Sequence, residues 1–312
     1  MTFPIFPDEA SEVAQQTDYL YWGLTAISAF IVLIVFLPII YFLFKYRDGK
    51  AADRTPTKLP QMKMEIAWTV IPTLIMIGFY AWGAKQYFLI ERSPPGAMEL
   101  NVVGKQWMWK IQHPEGNREI NELHVPLGRI VKLTLTSQDV IHSFFLPAFR
   151  IKQDVVPGRY TTEWFKASRL GRFHLFCSEF CGTQHSGMIG HIVVMEPAAY
   201  EEWLVRGQPG STLAQAGERL YRELGCSGCH IGSSVVRAPP LEGVFGKPVP
   251  LNSGEVVTAD EAYIRDSILF PAKQIAGGYT NDMPSFQGRV NEEELLELVA
   301  YIKSISNQGT AK

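Results

Sequence analysis

The chain has 312 residues, four cysteines and a formal net charge of −2. That length implies two domains, or one domain plus membrane segments, and the near-neutral balance offers nothing to attract a nucleic acid. The cysteines fall in two close pairs, Cys177/Cys181 and Cys226/Cys229, each beside histidines. A secreted disulfide framework spreads its cysteines more widely, so the pairs point to metal or haem attachment.

Tyr19 to Phe44 is an almost uninterrupted apolar run, long enough to cross a hydrocarbon core of about 30 Å. Pro38 is a kink that membrane helices tolerate, and Tyr19, Tyr21, Trp22, Tyr41 and Tyr46 mark the two interfaces. Acidic residues precede the run, so it reads as a retained helix and not as a signal peptide. A second run, Ile66 to Ala84, is just long enough to span. Between them lie Lys45, Arg47, Lys50, Arg54, Lys58 and Lys63, which place this short loop in the cytoplasm and everything after Lys85 on the outer face. Glu65 opens the second helix. It is either a dipole-favoured acid of a first turn or an acid that takes up protons from the cytoplasm.

After Pro94-Pro95-Gly96 the pattern changes to short β-rich segments: Glu99–Val103, Trp107–Gln112, Ile130–Thr136, Thr161–Trp164, Gly171–Phe176 and Gly190–Met195. Turn signals separate them, which predicts a β-sandwich or barrel. His142 is expected in a loop after the Ile130–Thr136 strand. Cys177, Cys181, His185 and Met188 are expected in the loop between Phe176 and Gly190. Two thiols, two imidazoles and a thioether form a soft donor set suited to copper. A disulfide between the cysteines is the plain alternative, and zinc the rival metal, though Met is a poor zinc ligand. Two thiolates spaced Cys-x-x-x-Cys can bridge two metal ions, each taking one further histidine and one weak ligand. Met188 supplies one weak ligand and the Glu179 carbonyl is the candidate for the other.

Three stretches carry a specific resemblance: His142-Ser-Phe-Phe-Leu-Pro147, Lys152-Gln-Asp-Val-Val-Pro-Gly158-Arg159 and Cys177-Ser-Glu-Phe-Cys-Gly-Thr-Gln-His-Ser-Gly-Met188. They resemble subunit II of the haem-copper cytochrome c oxidases, over residues 15 to 205 or so. The resemblance implies two transmembrane helices followed by a cupredoxin domain with a dinuclear copper (Cu-A) centre. By that resemblance the copper ligands are His142, Cys177, the Glu179 carbonyl, Cys181, His185 and Met188. It further implies that Trp107, in Gly104-Lys-Gln-Trp-Met-Trp109, receives electrons from a donor, with Met108 standing where the family usually has an aromatic residue. It makes the Glu179 carboxylate a magnesium ligand at the contact with subunit I. It places Glu65, in Glu65-Ile-Ala-Trp-Thr69, at the entrance of a proton-uptake channel. His113, His124, His174 and His191 remain as strand or surface histidines.

Pro197 to Arg206 predicts a short helix, and Gly207 to Ser211 a flexible linker. Leu213, Ala216, Leu220, Tyr221 and Leu224 fall at helical spacing and lead into Cys226-Ser-Gly-Cys229-His230, the c-type haem attachment pattern. Two thioethers fix the porphyrin and His230 binds iron. Met283, alone of its kind in this region, is the expected sixth ligand, and His/Met ligation raises the haem potential. Glu292 to Ile305 closes the domain as an amphipathic helix. The whole resembles a class I cytochrome c, with Pro239 or Pro240 packing on the haem. Residues 201 to 312 hold 14 acids against 10 bases, a mild bias toward a basic donor.

The expected fold class is therefore a multidomain membrane protein: a two-helix transmembrane hairpin, a cupredoxin-like β-sandwich or barrel, and an all-α class I cytochrome c domain. The expected boundaries are an outer segment 1–17, transmembrane helices 18–46 and 64–90 around a cytoplasmic loop 47–63, a Cu-A domain 91–200, a linker 201–211 and a cytochrome c domain 212–312. Subunit II fused to a cytochrome c resembles the caa-type oxidases of bacteria. That implies an electron-transfer subunit of a proton-pumping oxidase in the bacterial plasma membrane, partnered by subunit I, other oxidase subunits and lipid. Its external donor is expected to be a cytochrome c or a quinol-cytochrome c reductase. A subunit of a nitric oxide or nitrous oxide reductase is the alternative.

Overall fold

The computed structural model describes residues 6–49, 51, 61–207, 212–230 and 238–308. Lys50, Arg54 and Lys58 of the basic loop and residues 208–211 of the expected linker lie outside the described residues. The chain divides into two compact units, Glu12–Ser93 and a larger one that joins the residues up to Ser11 with Pro94–Lys312.

The smaller unit is a helical hairpin. Helix α1 spans Glu12–Lys45 and α2 spans Gln61–Glu91, both longer than their apolar runs. Glu12 in the first turn of α1 and Lys45 in its last complement the helix dipole and explain the extension. Phe30, Ile34, Leu37, Leu74 and Ile77 are all exposed, and the apolar windows of both helices have no buried share. Helices apolar all round whose apolar windows are not buried among the described residues suit a lipid environment. Gly23 lets the two helices approach: a Cβ there would lie 3.3 Å from Phe79 and 3.4 Å from Trp82. Gln86 Nε2 donates to Thr17 Oγ1 at 2.7 Å across the same pair. Glu65 is exposed and lies one turn inside α2, not at its start.

The larger unit begins with a two-sheet sandwich. Its strands are β1 Met98–Lys105, β2 Met108–Gln112, β3 Arg118–Ile120, β4 Glu122–Pro126, β5 Ile130–Ser137, β6 His142–Leu146, β7 Ile151–Val155, β8 Thr161–Lys166, β9 Gly171–Cys177 and β10 Ile189–Met195. One sheet has the order β3-β2-β1-β5-β8 and the other β4-β10-β9-β6-β7. Alternation sets the inward faces: Val131, Leu133 and Leu135 of β5 in one sheet are buried, as are Leu123, Val125, Phe144 and Leu175 in the other. Burying each such side chain contributes about 1.5–3 kcal/mol. The residues before α1 complete this domain. Ala10 N–H donates to Ala148 O at 2.8 Å, Ser168 N–H donates to Ala10 O at 2.9 Å, and Ser11 bridges Ala167.

Helix α3, Pro197–Arg206, forms where its sequence predicts a short helix and packs on β4, so residues 201–206 of the expected linker are helical. The remaining elements are α4 Leu213–Glu223, α5 Ser227–His230, the short pair β11 Pro248–Pro250 and β12 Val256–Thr258, α6 Glu261–Leu269 and α7 Glu292–Gln308. Thr212 and Gln215 form a reciprocal capping box at the start of α4. Helix α4 crosses α7 at Gly217, where the backbone of Glu297 leaves no room for a Cβ. Tyr221, Ile264, Ile268, Leu295, Leu298, Val299 and Ile302 form the core between α4, α6 and α7.

Candidate metal centres

The loop between β9 and β10 is closed at its base by backbone. Phe176 pairs with Ile189, and Cys177 N–H donates to Met188 O at 3.3 Å. Cys177 ends β9 and Met188 immediately precedes β10, so both are fixed by the sheet and buried. A 3-10 turn over His185–Gly187 brings His185 back over the cysteines. His142 comes from the adjacent strand. It is the first residue of β6, paired with Val155, and not part of a loop as the sequence suggests.

These elements bring the predicted residues together. The two sulfurs are 3.7 Å apart and both cysteines are free, which removes the disulfide alternative from this structure. His142 Nδ1 lies 3.9 Å from Cys177 Sγ, and His185 Nδ1 lies 3.4 Å from Cys181 Sγ. Met188 Sδ is 3.9 Å from Cys181 Sγ, and the Glu179 carbonyl is 3.3 Å from Cys177 Sγ. The six donors thus surround one small volume, with two sulfurs central and one imidazole on each. That is the donor set a thiolate-bridged copper pair needs. The Glu179 carboxylate is exposed and separate from this cluster.

The electrostatics agree with a cation held between the sulfurs. Burial raises the Cys177 thiol, but the His142 hydrogen bond and the Ser143 backbone bring it down to about 6. Cys181 is pushed up to about 12, first by burial and then by the Cys177 charge. A second thiolate is resisted by the first, and a metal ion relieves that repulsion.

Sequence reasoning missed the supporting residues. Asp139 Oδ1 lies 2.8 Å from His142 Nε2, which turns Nδ1 toward the sulfurs. Asp139 also accepts from Gln106 N–H and Val140 N–H, each at 2.7 Å. Burial would raise the Asp139 carboxyl, and these donors outweigh it and hold its pKa low. Gln106 Nε2 donates to Cys181 O at 2.8 Å. Trp107, half-buried, lies against Gly182, whose Cβ would sit 3.4 Å from Cζ2 of the indole. Gly182 has φ +120°, so the loop needs glycine there on two counts. The other histidines are structural. Glu119 bridges His113 at 2.8 Å and His124 at 2.5 Å, and both rings pack on Trp203 of α3. His174 and His191 are cross-strand neighbours on the sheet surface.

The second candidate centre lies in the helical domain. Cys226 O accepts from Cys229 N–H at 3.2 Å and from His230 N–H at 3.1 Å, so one turn presents both thiols and the imidazole together. His230 Nδ1 lies 2.8 Å from Pro239 O, a contact that leaves Nε2 facing away from it. The cleft beside them is walled by Leu224, Ile264, Ile268, Phe286 and Leu298, with Met283 also on its lining. An apolar slot carrying two thiols, a histidine and a methionine fits a covalent haem.

Comparison with known proteins follows this division. Residues 2–82 match the transmembrane domain of cytochrome c oxidase subunit II, and residues 117–196 match the periplasmic domain of the same subunit. Residues 212–302 match subunit III of cbb3-type cytochrome c oxidase. Cytochrome c oxidase subunit 2 of Alkalihalophilus pseudofirmus is 30% identical over 297 residues, covering 89% of this chain and 84% of that one. The chain belongs to the cytochrome c oxidase subunit 2 family. Subunit 2 of Thermostichus vulcanus is likewise 30% identical, over 263 residues that cover 67% of this chain and 80% of the relative. The solved periplasmic domain of oxidase subunit II from Bradyrhizobium japonicum covers 37% of this chain and 96% of its own, at 32% identity and TM-score 0.36. A member of this family with a fused cytochrome c domain is an electron-transfer subunit of an oxidoreductase complex, associated with subunit I. Its matched domains imply a Cu-A copper centre and a haem c. It is a membrane protein with its β domain on the outer face. Family membership decides for the oxidase over the nitrogen-oxide reductases.

Proposed function

We propose that His142, Cys177, the Glu179 carbonyl, Cys181, His185 and Met188 hold the dinuclear copper, and that Cys226, Cys229, His230 and Met283 hold the haem. The observation that carries the first assignment is the pair of free sulfurs 3.7 Å apart with one imidazole on each side. When bound, the two groups supply one-electron carriers. The chain then relays electrons singly from an external cytochrome c or quinol-cytochrome c reductase to subunit I, where oxygen is reduced and protons are pumped. The residues do the shaping. Cys177 and Cys181 would share their charge with the copper, Asp139 aims His142, and burial keeps water off both sulfurs.

Three further roles complete the proposal. Trp107 receives electrons from the external donor, because its indole abuts the ligand loop at Gly182 while remaining partly accessible. The exposed Glu179 carboxylate reaches a magnesium ion at the contact with subunit I. Glu65, exposed one turn inside α2, takes up protons from the cytoplasmic side. The membrane is the bacterial plasma membrane, and lipid covers the exposed apolar faces of α1 and α2.

Metal analysis of the purified full chain tests the assignment. Two coppers and one haem per chain are expected, and Cys177→Ser should abolish the purple absorption while leaving the haem in place. One copper per chain, or a Cys177→Ser variant that keeps the purple band, removes the dinuclear assignment.

A further inference from the structure

Arginine is rarely buried without a partner chosen for it. Arg265, on α6 of the haem domain, is 2% exposed. Its own domain supplies Glu292, whose carboxylate accepts from Nη2 at 2.7 Å. The other hydrogen bond leaves the domain: Nη1 donates to Gly158 O at 2.8 Å, in the loop between β7 and β8 of the copper domain. The guanidinium also lies 5.7 Å from the centre of the Tyr160 ring, and the Tyr160 hydroxyl is buried. A planar fork that satisfies a carboxylate on one side and a backbone carbonyl on the other, with an aromatic ring across its face, is a task for arginine and not for lysine.

Around this buried centre runs a polar rim. Lys303 of α7 pairs with Glu99 of β1 at 2.5 Å, Glu293 pairs with Lys110 of β2, and Glu297 pairs with Arg118 of β3. Each pair joins opposite charges, two acids and one lysine of α7 meeting two bases and one acid of the sheet, so the two faces are complementary in charge. A desolvated anchor beside partly buried opposite-charge pairs is how stable interfaces are built.

The anchored loop is not remote from the copper ligands. Val155, three residues before Gly158, pairs with His142. Pro157 bridges Ser137, whose hydroxyl lies 3.4 Å from Asp139, the carboxylate that aims His142. On the other side, Ile264 next to Arg265 lines the haem cleft.

We infer that Arg265 is a positioning residue. It docks the haem domain, through Gly158 and Tyr160, onto the loop that flanks His142, so the tethered donor is held at the histidine side of the copper centre. The interface is a property of the polypeptide. It stands independently of the metal assignment, and a metal count on the same samples keeps the two claims separate.

Hydrogen exchange on the purified full chain tests it. In Arg265→Ala, amides of residues 156–164 should exchange about tenfold faster or more, while residues 295–302 of the haem-domain core keep native protection. Arg265→Lys, which retains the charge and loses the fork, should fall between. A merely structural role inside the haem domain would move the core amides and leave the 156–164 stretch unchanged, and that result overturns the inference. If Arg265→Ala fails to accumulate, Tyr160→Ala makes the same test from the other domain. Faster exchange over residues 261–266 supports the docking, and native protection there refutes it.

Discussion

Gly104 sits in β1 beside the copper ligands, and replacing it by alanine is a test of how tightly His142 is held. A Cβ at Gly104 would lie 2.9 Å from His142 Cδ2, and 3.3 Å from both His142 Cγ and Trp109 Cζ3. Carbon atoms rest at about 3.5–4.0 Å, so the imidazole must retreat by about 0.6–1 Å. It has nowhere to go. Its Nε2 is bound to Asp139 at 2.8 Å, its ring meets Trp109 edge-on with centroids 5.9 Å apart, and it is fully buried. Overpacking of this kind costs about 1–3 kcal/mol. For a β domain of this size each kcal/mol lowers Tm by about 4–8 °C. The displacement also changes the approach of Nδ1 to Cys177, so copper content and the visible band should fall together with Tm. Gly187→Ala, in the loop between β9 and β10, is the control: the nearest atom there is Gln184 Oε1 at 3.5 Å, an ordinary contact. Thermal unfolding, copper analysis and absorption spectra on both variants decide the matter. A Gly104→Ala protein with native Tm and native copper absorption would refute the packing argument.

Two other substitutions probe the rest of the unit. Gly217→Ala forces a methyl into the backbone of Glu297 and within 2.9 Å of Tyr301 Cβ, so α4 and α7 must separate. A loss of about 3 kcal/mol and a drop in covalent haem per chain are expected, and native haem content would contradict it. Glu163 faces inward from β8 opposite Leu133, with both carboxyl oxygens unpartnered among the described residues. Burial holds its pKa well above the usual carboxylate range. A folded pKa above the unfolded one means that stability falls as pH rises from the unfolded pKa toward the folded one. Glu163→Leu should therefore stabilise the chain by about 1–3 kcal/mol at neutral pH and by less near pH 4. A lower Tm for this variant at pH 8 would show that the carboxyl has a partner.

The elements legible from sequence were those whose pattern is local. The apolar runs of α1 and α2, the haem turn at Cys226–His230 and the spacing of Cys177, Cys181, His185 and Met188 each lie within one short stretch. Strand β6 was not legible: Ser143 and Phe144 are both buried, which breaks the alternation, and His142 reads as a loop ligand. Strands β3 and β4 are short and polar, so they left no run to detect. Around the candidate centre, Gln106 and Gly104 went unseen because each acts across the fold, and Asp139, only three residues before His142, has no local pattern to mark it. Gly104 matters only where β1 passes under His142, and Gln106 only where its amide meets Cys181. The role of Arg265 was hidden for the same reason, since nothing in α6 announces a partner 107 residues away.

The short stretch before α1 has a consequence for how the outer domain is put together. Ala10 and Ser11 are stitched into the β domain by backbone bonds to Ala148, Ala167 and Ser168, and Asp8 pairs with Arg169 at 2.8 Å. The outer domain is therefore assembled from chain on both sides of the helical hairpin. A fragment starting at Pro94 would lack that seam and leave the Ala148 carbonyl without the Ala10 amide. The copper domain and the helical hairpin are thus linked twice, by the chain entering α1 and by the chain leaving α2.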